Sequence, residues 1–278
     1  MVGKFFPNWE KMTVREIRAY LRRRRSVIQP IGVIEQHGYH LPLTTDVLTA
    51  QGISLRVGER TGTLVAPPIT TSFSGGQLPG TINISPNVMG LVVADTVRSL
   101  AEQGFQNVFL VLGHAGSENL MALTTSLNLF LREHPQPPML VLAPIWKYSP
   151  RWEKAFKLGD WHAGWIETSL IMALAPELVQ MDQLRTDRPA LHREMRKHPD
   201  MYQFAQKPVE DDSVIPLMAQ RPEIQVGVMG DPARASAGLG KKVLAEIVQN
   251  MCTSFKKIEK RRSPAYRKVP WKPAPIML

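Results

Sequence analysis

Cysteine is nearly absent from this chain. Cys252 is the single one in 278 residues, so no intrachain disulfide can form and stability has to come from a packed core. No uninterrupted apolar run reaches about 18 residues, which argues against a membrane span. The opening MVGKFFPNWEKM lacks the apolar stretch of a signal peptide, so the expected address is cytoplasmic. Internal repeats are missing, and the 23 prolines are scattered as turn punctuation. What is present is ample apolar material: 44% hydrophobic against 21% charged residues excludes global disorder and suffices for a sizeable core.

Charge is unevenly spread. The net +10 comes from the two ends: residues 1–25 hold eight basic and two acidic side chains, and residues 256–278 hold eight and one. The body between them is slightly acidic. Basic ends on such a body read as a surface patch or arm rather than as a nucleic-acid-binding fold.

Hydrophobic patterning alternates strands with helices. Helical spacing is expected over Val14–Leu21, Val88–Leu100, Leu120–Leu131, Ile166–Ala175 and Lys241–Phe255. Strands are expected at Ser26–Ile34, Leu64–Ile69, Asn107–Leu112 and Met139–Ala143, and NVFLVL at 107–112 is apolar enough for a central parallel strand buried on both faces. Residues 70–80 and 227–240 read as loops rich in small residues. The pattern implies one α/β domain over 1–255 with an irregular, charged excursion at about 181–221. A basic, proline-containing arm follows over 256–278, where Trp271, Ile276 and Met277 offer apolar anchors.

Polar residues directly after a buried strand are where open α/β sheets place their chemistry. The first strand exits into Glu35-Gln36-His37-Gly38-Tyr39-His40-Leu41-Pro42-Leu43-Thr44-Thr45-Asp46, which supplies two imidazoles and two carboxylates within twelve residues. These are good ligands for zinc or manganese. Asp46 could bridge two ions, which together lower the pKa of a shared water and orient it toward a polarised carbonyl. The plainer alternative is a turn whose Glu and His cap a helix or bond backbone. His114, at the end of another strand between Gly113 and Gly116, brings matching chemistry to a second strand exit, and the glycines allow close backbone approach to a bound group. A third polar set is Asp160, His162 and Glu167. Asp160 is placed to cap a helix start, and five residues separate His162 from Glu167, so one of that pair must precede the regular helix if both face a cleft.

Residues 35–46 resemble the signature of the creatininase family of metal-dependent amidohydrolases. So do Leu78-Pro79-Gly80-Thr81, Gly113-His114-Ala115-Gly116, and His162-Ala163-Gly164 followed by Glu167-Thr168-Ser169, in the family's order. The resemblance implies a three-layer α/β/α sandwich with a mostly parallel central sheet, usually a homohexamer, and two Zn²⁺ or Mn²⁺ ions per subunit. It implies that Glu35 and His114 hold one ion, His37 the other, and Asp46 bridges them. Glu167 completes the set, with Glu118 as the substitute because creatininases proper carry a glutamate two residues after the third-block histidine. His162 is implied as the proton shuttle.

The implied reaction is attack of a metal-bridging hydroxide on the carbonyl of a small cyclic amide. The family also includes formamide hydrolases and a hydrolase cleaving a carbon–carbon bond in a cyclic polyol ketone. Departures from the pattern fall around the ligands: Tyr39 replaces a proline, Trp165 replaces a glutamate, and Ser74-Gly75-Gly76 lacks the usual acidic and histidine residues. Tyr39, Trp161 and Trp165 could line a pocket for a flat ring. The non-enzyme alternative is a scaffold subunit whose basic termini bind an acidic partner.

Overall fold

The computed structural model describes residues 7–134 and 136–260. In chain order the elements are α1 (Val14–Leu21), β1 (Ser26–Ile31), α2 (Thr45–Thr61), β2 (Leu64–Val65), α3 (Pro86–Glu102), β3 (Asn107–Leu112) and α4 (Ser117–Glu133). They continue with β4 (Met139–Pro144), α5 (Pro150–Phe156), α6 (Trp165–Leu174), α7 (Pro189–Met195), β5 (Gln203–Gln206), β6 (Leu217–Gln220) and α8 (Ala237–Glu259).

The central sheet is parallel, in the order β2-β1-β3-β4. Alternation along β3 explains its continuous apolar sequence: Phe109 and Val111 face one core with Ile53, Trp165 and Val243, whereas Val108, Leu110 and Leu112 face the other with Met89, Val93 and Leu123. Successive side chains of a strand point to opposite faces, so a strand covered on both sides must be apolar throughout. Helices α2, α5, α6 and α8 thus cover one face and α1, α3 and α4 the other, giving three layers. Phe109 stacks on Phe255 of α8 with centroids 4.0 Å apart, tying sheet to helix.

From β1 the chain moves to β2 on one side, then returns across β1 to β3 on the other. The exits of β1 and β3, in register at Ile31 and Leu112, therefore flank a topological switch point. In open α/β sheets that is where ligands bind.

Helix α2 starts inside this crevice. A methyl group on Gly32 would stand 2.5 Å from the Val47 backbone nitrogen, and one on Gly113 would stand 2.1 Å from the Asp46 carbonyl oxygen. The two glycines therefore seat the first turn of α2 directly on the strand ends. The backbone that closely approaches Gly113 is that of Asp46, and the space over Gly116 is filled by the His114 ring. Gly113→Ala is expected to cost about 1–3 kcal/mol of stability through overpacking and to lower divalent-metal content. Thermal unfolding and elemental analysis of the variant check both.

Several boundaries differ from the sequence expectation. β1 ends at Ile31, and Ile34 instead makes a single bridge to Ile82. Only Leu64–Val65 of the second expected strand is regular, with Ile69 bridging Ile31. Helix α8 begins at Ala237, capped by the Ser236 side chain, and runs to Glu259, so the loop stops earlier and the helix continues four residues into the expected arm. Residues 261–278, with Trp271, Ile276 and Met277, lie outside the described residues. The 181–221 excursion contains α7 and the antiparallel β5–β6 pair. Among the described residues no helix is long and apolar enough to cross a membrane.

Candidate metal centre

Four chain segments deliver the site. Glu35 and His37 follow β1, His114 follows β3, Asp46 lies in the first turn of α2 and Glu167 in the first turn of α6. The α6 turn is built by Asp160, whose carboxylate accepts the Trp165 and Ile166 N–H groups at 2.9 and 3.0 Å. Asp160 thus satisfies the first free N–H groups of α6, as a cap does, although the N-cap position itself is held by Gly164 rather than by Asp160. Ala163 adopts φ 50°, an uncommon conformation for a residue with a Cβ, and its N–H donates to Glu167 Oε2 at 2.7 Å. That turn sets His162 just before the helix and Glu167 within it, both toward the crevice.

Besides a group of Glu35, His37 and His162, the side chains meet in two sets that share a residue: Glu35, Asp46 and His114 form one; His37, Asp46 and Glu167 form the other. Asp46 belongs to both: its Oδ2 lies 3.1 Å from His114 Nδ1 and its Oδ1 lies 3.5 Å from His37 Nε2. Glu35 Oε2 is 3.1 Å from His114 Nδ1, and Glu167 Oε2 is 3.8 Å from His37 Nε2. Glu118 joins neither set. It opens α4, with its carboxylate toward Gly75 and Tyr202.

These groups fit divalent ions. Glu35, His37, Asp46, His114 and Glu167 are all buried, yet Glu35 Oε2 and His37 Nε2 make no hydrogen bond. Buried polar atoms in proteins mostly find partners, and a carboxylate oxygen and an imidazole nitrogen left open beside further donors are what a hard or borderline cation requires. The neighbours orient them. His37 Nδ1 faces the Glu35 carbonyl oxygen at 3.1 Å, which as its hydrogen-bond acceptor leaves Nε2 as the free ligand atom. Ser74 Oγ–H donates to Glu35 Oε1, turning Oε2 inward.

Electrostatics show how strongly the pocket attracts positive charge. Burial opposes protonation of His37, but Asp46, Glu167 and Glu35 push it up to about 9. Burial likewise opposes protonation of His114, and Glu35 and Asp46 raise it well above the ordinary histidine value. Asp46 is lowered despite burial, through His37 and His114. Burial pushes Glu167 up to about 8. Without metal, protons therefore occupy His37, His114 and Glu167 at neutral pH.

A histidine must be neutral and a carboxyl group ionised to ligate, so metal loading should release about three protons per chain near pH 7, from His37, His114 and Glu167. Affinity should rise with pH toward 9 and fall in acid. Calorimetry of zinc binding in buffers of different ionisation enthalpy reads that release directly.

His162 stands beside the ligands. Its ring centroid lies 4.3 Å from that of His37, and its Nδ1 is 3.9 Å from Glu35 Oε2. Nε2 lies 2.8 Å from the Gln36 carbonyl oxygen, so with Nε2–H donating there, Nδ1 is the open nitrogen. Burial, then the neighbouring His37, push His162 down to about 4, so it is neutral near pH 7. His40, the remaining imidazole of the 35–46 stretch, points away and shares a 3.0 Å hydrogen bond with Thr168 Oγ1.

The adjoining cavity has a volume of about 170 Å³ and reaches from Glu35, His114, His162 and Glu167 to a wall of Trp146, Phe156, Trp161 and Tyr202. Trp161 stacks on Phe156 with centroids 5.0 Å apart. The other two aromatics singled out in the sequence lie elsewhere. Trp165 is packed in the core with the Arg234 guanidinium 4.0 Å over its ring, and Tyr39 is 56% exposed and off the cavity lining. Sequence reasoning missed Ser74 as the orienter of Glu35, and Trp146, Phe156 and Tyr202. Trp146 carried a usable signal, because it follows strand β4 as Glu35 follows β1.

Comparison with known proteins agrees with this geometry. The family model described as creatinine amidohydrolase matches residues 10–255. A creatinine amidohydrolase of Pseudomonas putida is 32% identical over 180 residues, covering 58% of this chain and 68% of that one. A mycofactocin precursor peptide peptidase of Mycolicibacterium smegmatis is 28% identical over 245 residues, covering 85% and 87%. The solved structure "Creatininase Mn" aligns with a TM-score of 0.73 at 25% identity, over 91% of this chain and 99% of that chain. With its three-layer fold, its paired ligand sets at the switch point and a family match spanning most of its length, this chain belongs to the creatininase family.

Proposed function

We propose that this protein hydrolyses the amide bond of a small cyclic substrate, using two divalent ions, zinc or manganese. Glu35 and His114 would hold one, His37 and Glu167 the other, and Asp46 would serve both. The observation that carries this reading is the placement of the two Asp46 carboxylate oxygens toward different histidines. Bound there, such ions lower the pKa of a shared water and polarise a carbonyl.

The chain's own groups supply the rest. Burial of the ligands excludes bulk solvent from the reacting centre, which strengthens every charge interaction inside it. His162, neutral with Nδ1 open, takes a proton at that atom and returns it to the departing nitrogen, and the Gln36 carbonyl at Nε2 holds the ring in place. Trp161 and Phe156 offer a flat apolar wall to a ring. A cavity of about 170 Å³ is below the roughly 300–1,000 Å³ usual for drug-sized ligands, which favours a small substrate.

The test is metal content per chain followed by a screen of cyclic amides, with release of a new amine or carboxylate as readout. The expected result is two ions per chain and turnover of at least one cyclic amide, abolished by chelation. Acid released from a nitrogen-free polyol ketone, with no amide turned over, would replace the amide reading.

A second reading is hydrolysis at the end of a peptide, favoured by the peptidase relative that aligns over 85% of this chain. Cleavage of linear peptides but not cyclic amides would select it.

A further inference from the structure

Outside the metal pocket a second, wider depression of about 800 Å³ lies against the same aromatic wall, for Trp146, Phe156 and Trp161 line both. The two differ in charge. The inner cavity presents the carboxylates of Glu35, Glu167 and Asp200, whereas the outer one presents Lys147, Lys157, Arg196 and Lys197, with Glu153 as the acid among them.

The cationic side is fixed to the wall. Arg196 Nε–H donates to the Gly159 carbonyl at 3.2 Å, and its own carbonyl accepts the Trp161 indole N–H at 3.1 Å. Among the described residues Lys147, Lys157 and Lys197 form no ion pair. Lys157 and Arg196 follow the last turns of α5 and α7, where a cation complements the helix dipole. Lys147 lies in the last turn of the short 3₁₀ helix Ile145–Tyr148, just ahead of α5. Lysines without acidic partners above an aromatic floor fit a flat molecule bearing an anion.

We propose that the outer depression is a subsite for a carboxylate on the distal part of the substrate, which makes the substrate an acidic amide. The proposal rests on the amide-hydrolase reading for its placement along the substrate, and its test is independent of turnover. Binding of naphthalene-2-carboxylate and of naphthalene-2-carboxamide to the metal-loaded enzyme is measured by calorimetry, in the wild type, in the double variant K157E/K197E and in K147Q.

The expected result is about tenfold tighter binding of the carboxylate, shrinking as salt rises. That preference should be lost in K157E/K197E and reduced in K147Q, with unfolding temperature and metal content unchanged. Equal affinity for acid and amide in the wild type would overturn the proposal. So would a carboxylate preference that survives in K157E/K197E, since the anion would then be seated on the metal ions. A protein that binds the acid as expected yet hydrolyses no amide would retain the subsite and lose only the reaction.

Discussion

Asp46→Ala is expected to strip the protein of both divalent ions and to reduce turnover by at least about 10³-fold. The size follows from what is removed: ions that stabilise developing charge contribute several kcal/mol to the transition state, and each 1.36 kcal/mol is a factor of ten in rate. The effect on metal follows from geometry. One carboxylate belongs to both ligand sets, whereas Glu35 and Glu167 each serve one of the two Asp46-containing sets. Glu167→Ala should accordingly leave about one ion per chain where Asp46→Ala leaves none. Elemental analysis after dialysis, beside a folding check by circular dichroism, decides the matter, and full occupancy without Asp46 would end the bridging assignment.

His162→Ala should behave in the opposite way, keeping both ions while kcat falls about 10²–10⁴-fold, the range for loss of a positioned general acid–base group. The contrast is informative because His162 also lies close enough to Glu35 and His37 to complete a third ligand set. If metal content fell in the variant, His162 would be a ligand rather than a proton carrier. A KM little changed beside a reduced kcat would place its role in the chemical step.

Much of this site was legible before any coordinates. β1 and β3 are buried on both faces, so their sequences are mostly apolar, and the appearance of Glu35, His37 and His114 after them marks the crevice. Asp160 could be read as a cap because a carboxylate ahead of a helix has few other uses. Helix α2 was not legible, and its composition explains why. Its buried side includes Thr45, Asp46, Thr49, Ser54 and Thr61, so polar residues occupy the positions that an apolar stripe would normally reveal. The wall was hidden for another reason. Tyr202 is far from the motifs in the chain and Trp146 and Phe156 belong to no motif block, and only the tertiary fold brings the three to one cavity with Glu35. Trp165 misled because a tryptophan beside a motif can as easily complete the core as face a ligand.

The seating of α2 on Gly32 and Gly113 has a consequence for how such a protein diversifies. The proposed ligands are anchored to strand exits and helix starts, while much of the facing cavity, from Pro199 to Met229, is supplied by another stretch of chain. Part of the cavity wall is thus written apart from the reactive groups, while Phe156 and Trp161 stand next to His162 in the chain. Drift in residues 199–229 can readdress the catalyst to a different molecule while the reactive apparatus is inherited intact, and laboratory redesign can exploit the same partition.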